Sequence, residues 1–273
     1  MFRSLRKLTW KPDESEVKAA NRRLHRALAP EYDNRQAIYH PAVMRHLRSL
    51  VLPHLAGKKG LALDAGCGTG FILDLLGETG FDFVCFDLSP EMVARAQEKH
   101  PAAGFAVADS FFPPFRRETF DLLAVSGLLH HIVDYGKLLE NLLALVKKGG
   151  TVLILNEPNA RGYRFFAPVR PITRALIPEK RVGKHVRTGV IRETDEAAAE
   201  YQINYGKGVD PQIIASLLAV HDFRIKKLEY MNLGILANLG DRLSLDLLET
   251  FPLLGKLPAG VFSPDFNIIA ERV

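Results

Sequence analysis

The sequence predicts an α/β fold in which helices cover both faces of a mostly parallel sheet. Two observations carry this. Short apolar runs at 61–64, 81–86, 104–108, 120–125 and 151–155 alternate with segments of helical spacing, the pattern of strands that are each followed by a crossover helix. Between the first of these strands and its helix stands a glycine-rich turn, at the junction where open α/β sheets bind ligands.

The elements follow in order. Val17, Ala20, Leu24 and Leu28 recur at spacings of three and four, which predicts an amphipathic helix over 13–29, opened by Asp13 after Pro12. A second helix is expected from Pro41 to His54, ahead of the five strands. The fifth strand ends near Asn156, and the next firm helix begins near Pro211. A connection that long inside an α/β domain reads as a lid or binding insert. It is expected to hold helices near 168–177 and 194–203, the latter started by Thr194, Asp195 and Glu196. A strand at 223–230 and a last strand at Asp265–Arg272 complete the pattern.

Composition agrees with a globular domain. The 273 residues are 47% hydrophobic and 25% charged, enough apolar material for one elaborated domain with a large core. No uncharged apolar run reaches 18 residues, so no membrane span is expected. The basic stretch Met1–Lys11 lacks the apolar segment of a secretory signal. Cys67 and Cys85 are the two cysteines, too few for a disulfide framework, and a reducing, cytoplasmic setting is expected.

The stretch LALDAGCGTGF (61–71) carries the most chemistry. An apolar strand ends at Asp64, and Gly66, Gly68 and Gly70 follow before a helix containing Ile72, Leu73, Leu75 and Leu76. Glycines here permit positive φ and close backbone approach by a ligand. A dinucleotide site wants G-x-G-x-x-G, but the third glycine of that pattern falls on Phe71. Asp64 is awkward beside a phosphate and useful beside an ammonium group. The loop therefore argues against a nucleotide phosphate, and against a nicotinamide oxidoreductase.

D-x-G-x-G-x-G after a strand resembles the first motif of the class I S-adenosylmethionine-dependent methyltransferases. FVCFDLSPEM (83–92), VADSFFPPF (107–115), FDLLAVSGLLHHIVD (120–134) and LVKKGGTVLILNEPN (145–159) are similar, in order, to that family's next segments. The likeness is good over residues 55–160, loose over 209–273, and nearest to the subgroup with ubiquinone and menaquinone methyltransferases.

The resemblance implies a Rossmann-like, seven-stranded, mostly parallel sheet with an antiparallel last strand. It divides the chain into an N-terminal helical cap (1–55), a cofactor-binding core (56–159), a basic lid insert (160–208) and the C-terminal part of the sheet (209–273). It implies S-adenosyl-L-methionine as cofactor, contacted by Asp64, Ala65, Gly66, Cys67, Gly68 and Gly70, by Leu88 and Met92, and by Ser126. Asp87 takes the ribose hydroxyls, and Asp109, with Ser110, meets the adenine. On this reading Cys67 is a filler whose side chain packs.

Methyl transfer from a sulfonium is a direct displacement, so alignment and exclusion of water are the protein's main contributions. A base is needed only if the acceptor loses a proton. His130 and His131, just past the fourth strand, are the candidates, with His131 preferred, although histidines here can also simply brace the turn. Tyr32 and Glu157 are candidates for the acceptor side. No metal ligands are read from the sequence. Asp134 reads as a helix cap.

Net charge is +5, yet residues 160–193 hold nine Lys/Arg against Glu179 and Glu193. Together with Tyr163, Phe165 and Phe166, this segment reads first as a lid over a small anionic or hydrophobic acceptor. A membrane-surface contact, RNA binding and a solvated helix face are the alternatives, RNA the weakest because no accessory RNA-binding domain is visible. The apolar stretch 231–254 can extend a hydrophobic pocket or serve self-association. From another class comes a relative that keeps fold and cofactor but acts through a protein partner.

Overall fold

The computed structural model of the chain describes residues 11–77, 79–162, 192–206, 208–231 and 265–273. Helix α1 (Glu14–Leu28) opens with a capping box: the Asp13 carboxylate accepts from the Glu16 amide, and the Glu16 carboxylate from the Asp13 amide, each at 2.9 Å. Helices α2 (Tyr32–Arg35) and α3 (Pro41–Leu55) follow. The alternating part comprises β1 (Lys59–Ala65), α4 (Phe71–Leu76), β2 (Gly80–Asp87), α5 (Pro90–Lys99), β3 (Gly104–Val107), β4 (Phe120–Ser126), α6 (Tyr135–Leu143) and β5 (Val146–Pro158). The remaining described elements are α7 (Glu193–Ala199), α8 (Tyr201–Asn204), α9 (Pro211–Val220), β6 (Phe223–Met231) and β7 (Asp265–Arg272).

The strands form one seven-stranded sheet in the order β3-β2-β1-β4-β5-β7-β6. β1 to β5 pair in parallel, and β7 lies antiparallel between β5 and β6. Strand alternation splits the core in two. Leu63, Leu123, Val125, Val152, Ile154 and Ile268 face α6 and α9. Their neighbours Ala62, Leu122, Ala124, Leu153, Leu155 and Ile269 face α3 and α4. Burying each such leucine or isoleucine contributes about 1.5–3 kcal/mol.

A third cluster joins α1 to α7: Ala20, Leu24 and Leu28 meet Ala198 and Ala199. Arg23 clamps Asp195 across that seam with two hydrogen bonds, of 2.7 and 3.0 Å. Asp195 stands in the first turn of α7, as expected, and serves as a tether as well. α7 begins after Arg192 with no side-chain cap, and the helix expected over 194–203 breaks at Glu200 into α7 and α8.

The fifth strand is longer than its apolar run at both ends. Val146 already pairs with Phe120. At the far end Asn156 adopts φ +57°, its amide donates to Asn267 Oδ1 at 2.9 Å, and pairing resumes at Glu157. Asparagine tolerates this left-handed conformation, so the strand continues through a bulge to Pro158. The helix expected near 168–177, most of the basic insert and nearly all of the apolar stretch 231–254 lie outside the described residues.

Candidate functional site

The strand order reverses between β1 and β4, and in open α/β sheets a ligand crevice opens at that point, beyond the carboxyl ends of the strands. A cleft lies there. Its floor is Asp64 near the end of β1, Asp87 ending β2 and Ser126 ending β4, with Gly66, Cys67, Gly68 and Thr69 of the glycine turn. Phe71, Ile72, Met92, Gly127, Leu128 and His131 add walls, and His25, Tyr32, Ile38 and Tyr39 cover it from the N-terminal helices.

Local chemistry shapes the turn. Gly66 sits at φ +74°, and a Cβ there would come within 2.9 Å of Leu128 Cδ1. The amides of Gly66 and Cys67 both donate to the Phe86 carbonyl, at 2.9 and 3.0 Å, tying the turn to β2. The Gly68 amide donates to Asp87 Oδ2 at 2.9 Å, while Asp87 Oδ1 accepts from the Ser89 amide at 2.8 Å. Ser89 in turn caps α5.

Two acids thus share the cleft floor. Asp64 is 1% exposed, and its Oδ2 has no hydrogen-bond partner among the described residues. Burial, and next the charge of Asp87, push its carboxyl well above the usual range. Burial raises Asp87 too, against the amides of Ser89 and Gly68 that hold its charged form. An orphaned buried carboxylate oxygen beside a second carboxylate suits a ligand rich in hydroxyl and ammonium donors, and repels a pyrophosphate.

The cover is bolted down by a polar knot. Tyr39 Oη lies 3.0 Å from Thr69 Oγ1, which donates to Asp33. Lys99 Nζ reaches Asp33 at 2.8 Å, Asp74 at 2.6 Å and the Thr69 carbonyl at 3.1 Å.

The opposite wall is the turn 127–131, and Glu157 holds it from beneath. The Glu157 carboxylate is fully buried and accepts from the amides of Leu128, Leu129 and His130, at 2.7, 2.8 and 3.2 Å. It also lies 3.1 Å from His130 Nδ1, whose ring reaches Glu200 through Nε2 at 3.6 Å. Burial lowers the His130 pKa, but Glu157 and Glu200 outweigh it and raise it overall. His131 Nδ1 donates to the Ala199 carbonyl at 2.7 Å, leaving Nε2 uncommitted to that bond. Burial, then the neighbouring His130, lower its pKa. His25 packs edge-on against His131 and is pushed down to about 3, chiefly by burial.

Of the residues singled out in the sequence, the cleft brings together Asp64, Gly66, Cys67, Gly68, Asp87, Met92, Ser126, Tyr32 and His131. Ala65, Gly70, Leu88, Ser110, Asp109 and His130 are not among its lining. Asp109 is paired with Lys18 of α1 at 2.8 Å and accepts from the Phe111 amide. Glu157, expected on the acceptor side, is turned away from the cleft, because the Asn156 bulge sends its side chain under the turn. Cys67 packs against Leu73 and Cys85, and burial pushes its thiol up. His25, Ile38, Tyr39, Thr69 and Leu128 also line the cleft, although no motif in the sequence points to them. The exception is Thr69, by its place inside the glycine turn.

Residues 63–154 match the family model described as a methyltransferase domain. The chain is 29% identical over 153 residues to the demethylmenaquinone methyltransferase of Paenarthrobacter aurescens, covering 56% of this chain and 57% of that one. It is 28% identical over 231 residues to the same-named protein of Thermus thermophilus, covering 79% and 98%. The chain thus spans little more than half the length of several curated relatives that it matches. Among solved structures it resembles the [4+2]-cyclase SpnF, with a TM-score of 0.59, 16% identity and coverage of 96% and 97%. Glycine turn, acid-floored cleft, strand order and sequence relatives agree in their likeness to the class I S-adenosylmethionine-dependent methyltransferases.

Proposed function

We propose that this protein transfers a methyl group from S-adenosyl-L-methionine to a small anionic or hydrophobic acceptor by direct displacement. The observation that carries the reading is the buried Asp64–Asp87 pair, with the free oxygen of Asp64, at the mouth of β1 and β2. The bound cofactor supplies a sulfonium-activated methyl group. Asp87 binds the ribose hydroxyls while its own orientation is held by the Gly68 and Ser89 amides. Asp64 offers its unpartnered oxygen to the ammonium end. Phe71, Ile72, Met92 and Leu128 exclude water, and the Tyr39–Thr69–Asp33 knot keeps the cover shut.

Where the acceptor gives up a proton, His131 receives it. Its ring lines the cleft, and the bond to Ala199 fixes its orientation with Nε2 available. His130 braces that ring between two carboxylates and takes no direct part. The adenine role of Asp109 requires the Lys18 pair to remain as its outer support. The basic segment 160–193 supplies charge for an anionic acceptor or an anionic membrane surface; no nucleic-acid role is proposed. Two free, buried cysteines suit a cytoplasmic setting. No helix among the described residues is long and apolar enough to cross a membrane.

The likeness to demethylmenaquinone methyltransferases makes demethylmenaquinone the first hydrophobic acceptor to try. A second reading takes its support from the structural neighbour SpnF, described as a [4+2]-cyclase: on it, this chain would keep the fold and the cofactor cleft without transferring a methyl group. An assay for S-adenosylhomocysteine release across demethylmenaquinone, phenolic and carboxylate acceptors separates them. Acceptor-dependent release supports the first reading, and cofactor binding without release throughout favours the second.

A further inference from the structure

We propose that His130, His131 and Glu200 form a binding site for a borderline divalent transition metal such as Zn²⁺ or Co²⁺. One ring nitrogen of each histidine and a carboxylate oxygen of Glu200 lie within 4.8 Å of one another. His130 Nε2 already stands 3.6 Å from Glu200 Oε2. Ligands on a tetrahedral zinc at 2.0–2.1 Å sit about 3.4 Å apart, so small side-chain rotations close the set. Two imidazoles with one carboxylate select transition metals over Mg²⁺ and Ca²⁺, which prefer all-oxygen shells.

The surroundings strengthen the assignment. A histidine that binds a metal through one ring nitrogen usually gives the other to a carboxylate or a backbone carbonyl, which sets its direction. Both arrangements occur here. His130 Nδ1 meets the buried Glu157 carboxylate at 3.1 Å, and His131 Nδ1 meets the Ala199 carbonyl at 2.7 Å. Glu157 is itself immobilised by three backbone amides. With Nδ1 of each ring so engaged, Nε2 is the nitrogen left for a metal, and the two rings pack 4.0 Å apart beside Glu200, which stands between α7 and α8.

Three protein ligands leave coordination positions open beside a cleft that His131 lines. A metal there would take an oxygen of an incoming hydroxyl, phenolate or enolate. The His131 nitrogen that bonds a metal cannot also take a proton, so occupancy would replace proton transfer to His131 by coordination of the acceptor's oxygen. Cation binding itself does not depend on the methyl-transfer reading.

The test is titration of the untagged full chain with Co²⁺, following its visible ligand-field absorption, and with Zn²⁺ by equilibrium dialysis and metal analysis. The expected result is one ion per chain, Co²⁺ displaced by Zn²⁺, with affinity reduced at least tenfold in Glu200→Gln and in His131→Ala. Glu200→Gln should keep its melting behaviour and its S-adenosylhomocysteine affinity, because Glu200 does not line the cleft. Absence of saturable Co²⁺ or Zn²⁺ binding below millimolar concentration, or equal binding by Glu200→Gln and the parent, would overturn the site. S-adenosylhomocysteine titration of the same sample reports separately on the cofactor reading.

Discussion

Glu157 lies 3.1 Å from His130 Nδ1 with no solvent exposure, and the same carboxylate receives the amides of Leu128 and Leu129. One side chain past a strand bulge therefore holds the whole wall that carries Leu128 and His131. Glu157→Gln keeps the shape but turns one acceptor oxygen into a donor facing donors. Loss of about 2–4 kcal/mol is expected, since leaving buried donors unsatisfied costs about 1–3 kcal/mol each. Urea unfolding checks this; a change below about 0.5 kcal/mol would mean that the turn is held otherwise.

Gly66 and Gly68 should respond differently to alanine. Both have positive φ, but only at Gly66 does the added methyl meet a neighbour, Leu128, at 2.9 Å; at Gly68 nothing lies within 4 Å. Gly68→Ala should cost about 1–2 kcal/mol from backbone strain alone. Gly66→Ala adds a steric term of about 1–3 kcal/mol and displaces the wall of the cleft. Denaturant midpoints and S-adenosylhomocysteine affinity together read both effects. Equal losses in the two variants would contradict the packing at Leu128.

The contrast explains what was legible in the sequence. Strands β1 to β7, the glycine turn and Asp87 at the end of β2 are written in local patterns: apolar runs, turn residues and a regular spacing. Asp109 and Glu157 were harder, because their partners are distant. Lys18 stands on α1, and the direction of Glu157 depends on a bulge at Asn156 that Asn267 of β7 stabilises. Asp195 reads correctly as part of a helix start, but its bond to Arg23, on another helix, is not legible locally. Tyr39 reaches the cleft only through the fold of the cover.

His46 and Glu229 make a pH-sensitive pair joining α3 to β6 at 3.0 Å. The hydrogen bond to Glu229 raises the His46 pKa, against burial and Lys227. For Glu229, burial acts upward but His46 and Asn267 bring the pKa below its ordinary value. A raised histidine stabilises below its unfolded pKa and loses that contribution as pH rises through the folded one. A lowered glutamate stabilises above its unfolded pKa and loses it as pH falls through the folded one. The pair thus contributes most between about pH 4.5 and 6.5. Being half-exposed, it is worth under about 1 kcal/mol. His46→Ala should narrow the stability difference between pH 6 and pH 8; an unchanged difference would remove the pair from the pH response.

Arg23 and Asp195 pin the first helix to α7 across the histidine turn. Arg23→Ala should cost about 0.5–1 kcal/mol, because the guanidinium is largely exposed although its geometry is bidentate. The larger effect is expected in hydrogen exchange, where amides of α1 and α7 lose protection together. Separate responses of the two helices would mean that they are not coupled through this clamp.

Asp64 and Asp87 form the floor of the cofactor cleft, and calorimetric titration with S-adenosylmethionine, S-adenosylhomocysteine and NAD tests their role most directly. The expected result is saturable binding of both sulfur compounds and none of NAD, with Asp87→Ala weakening the sulfur compounds at least tenfold. Binding of NAD alone, or unchanged affinity in Asp87→Ala, would contradict it.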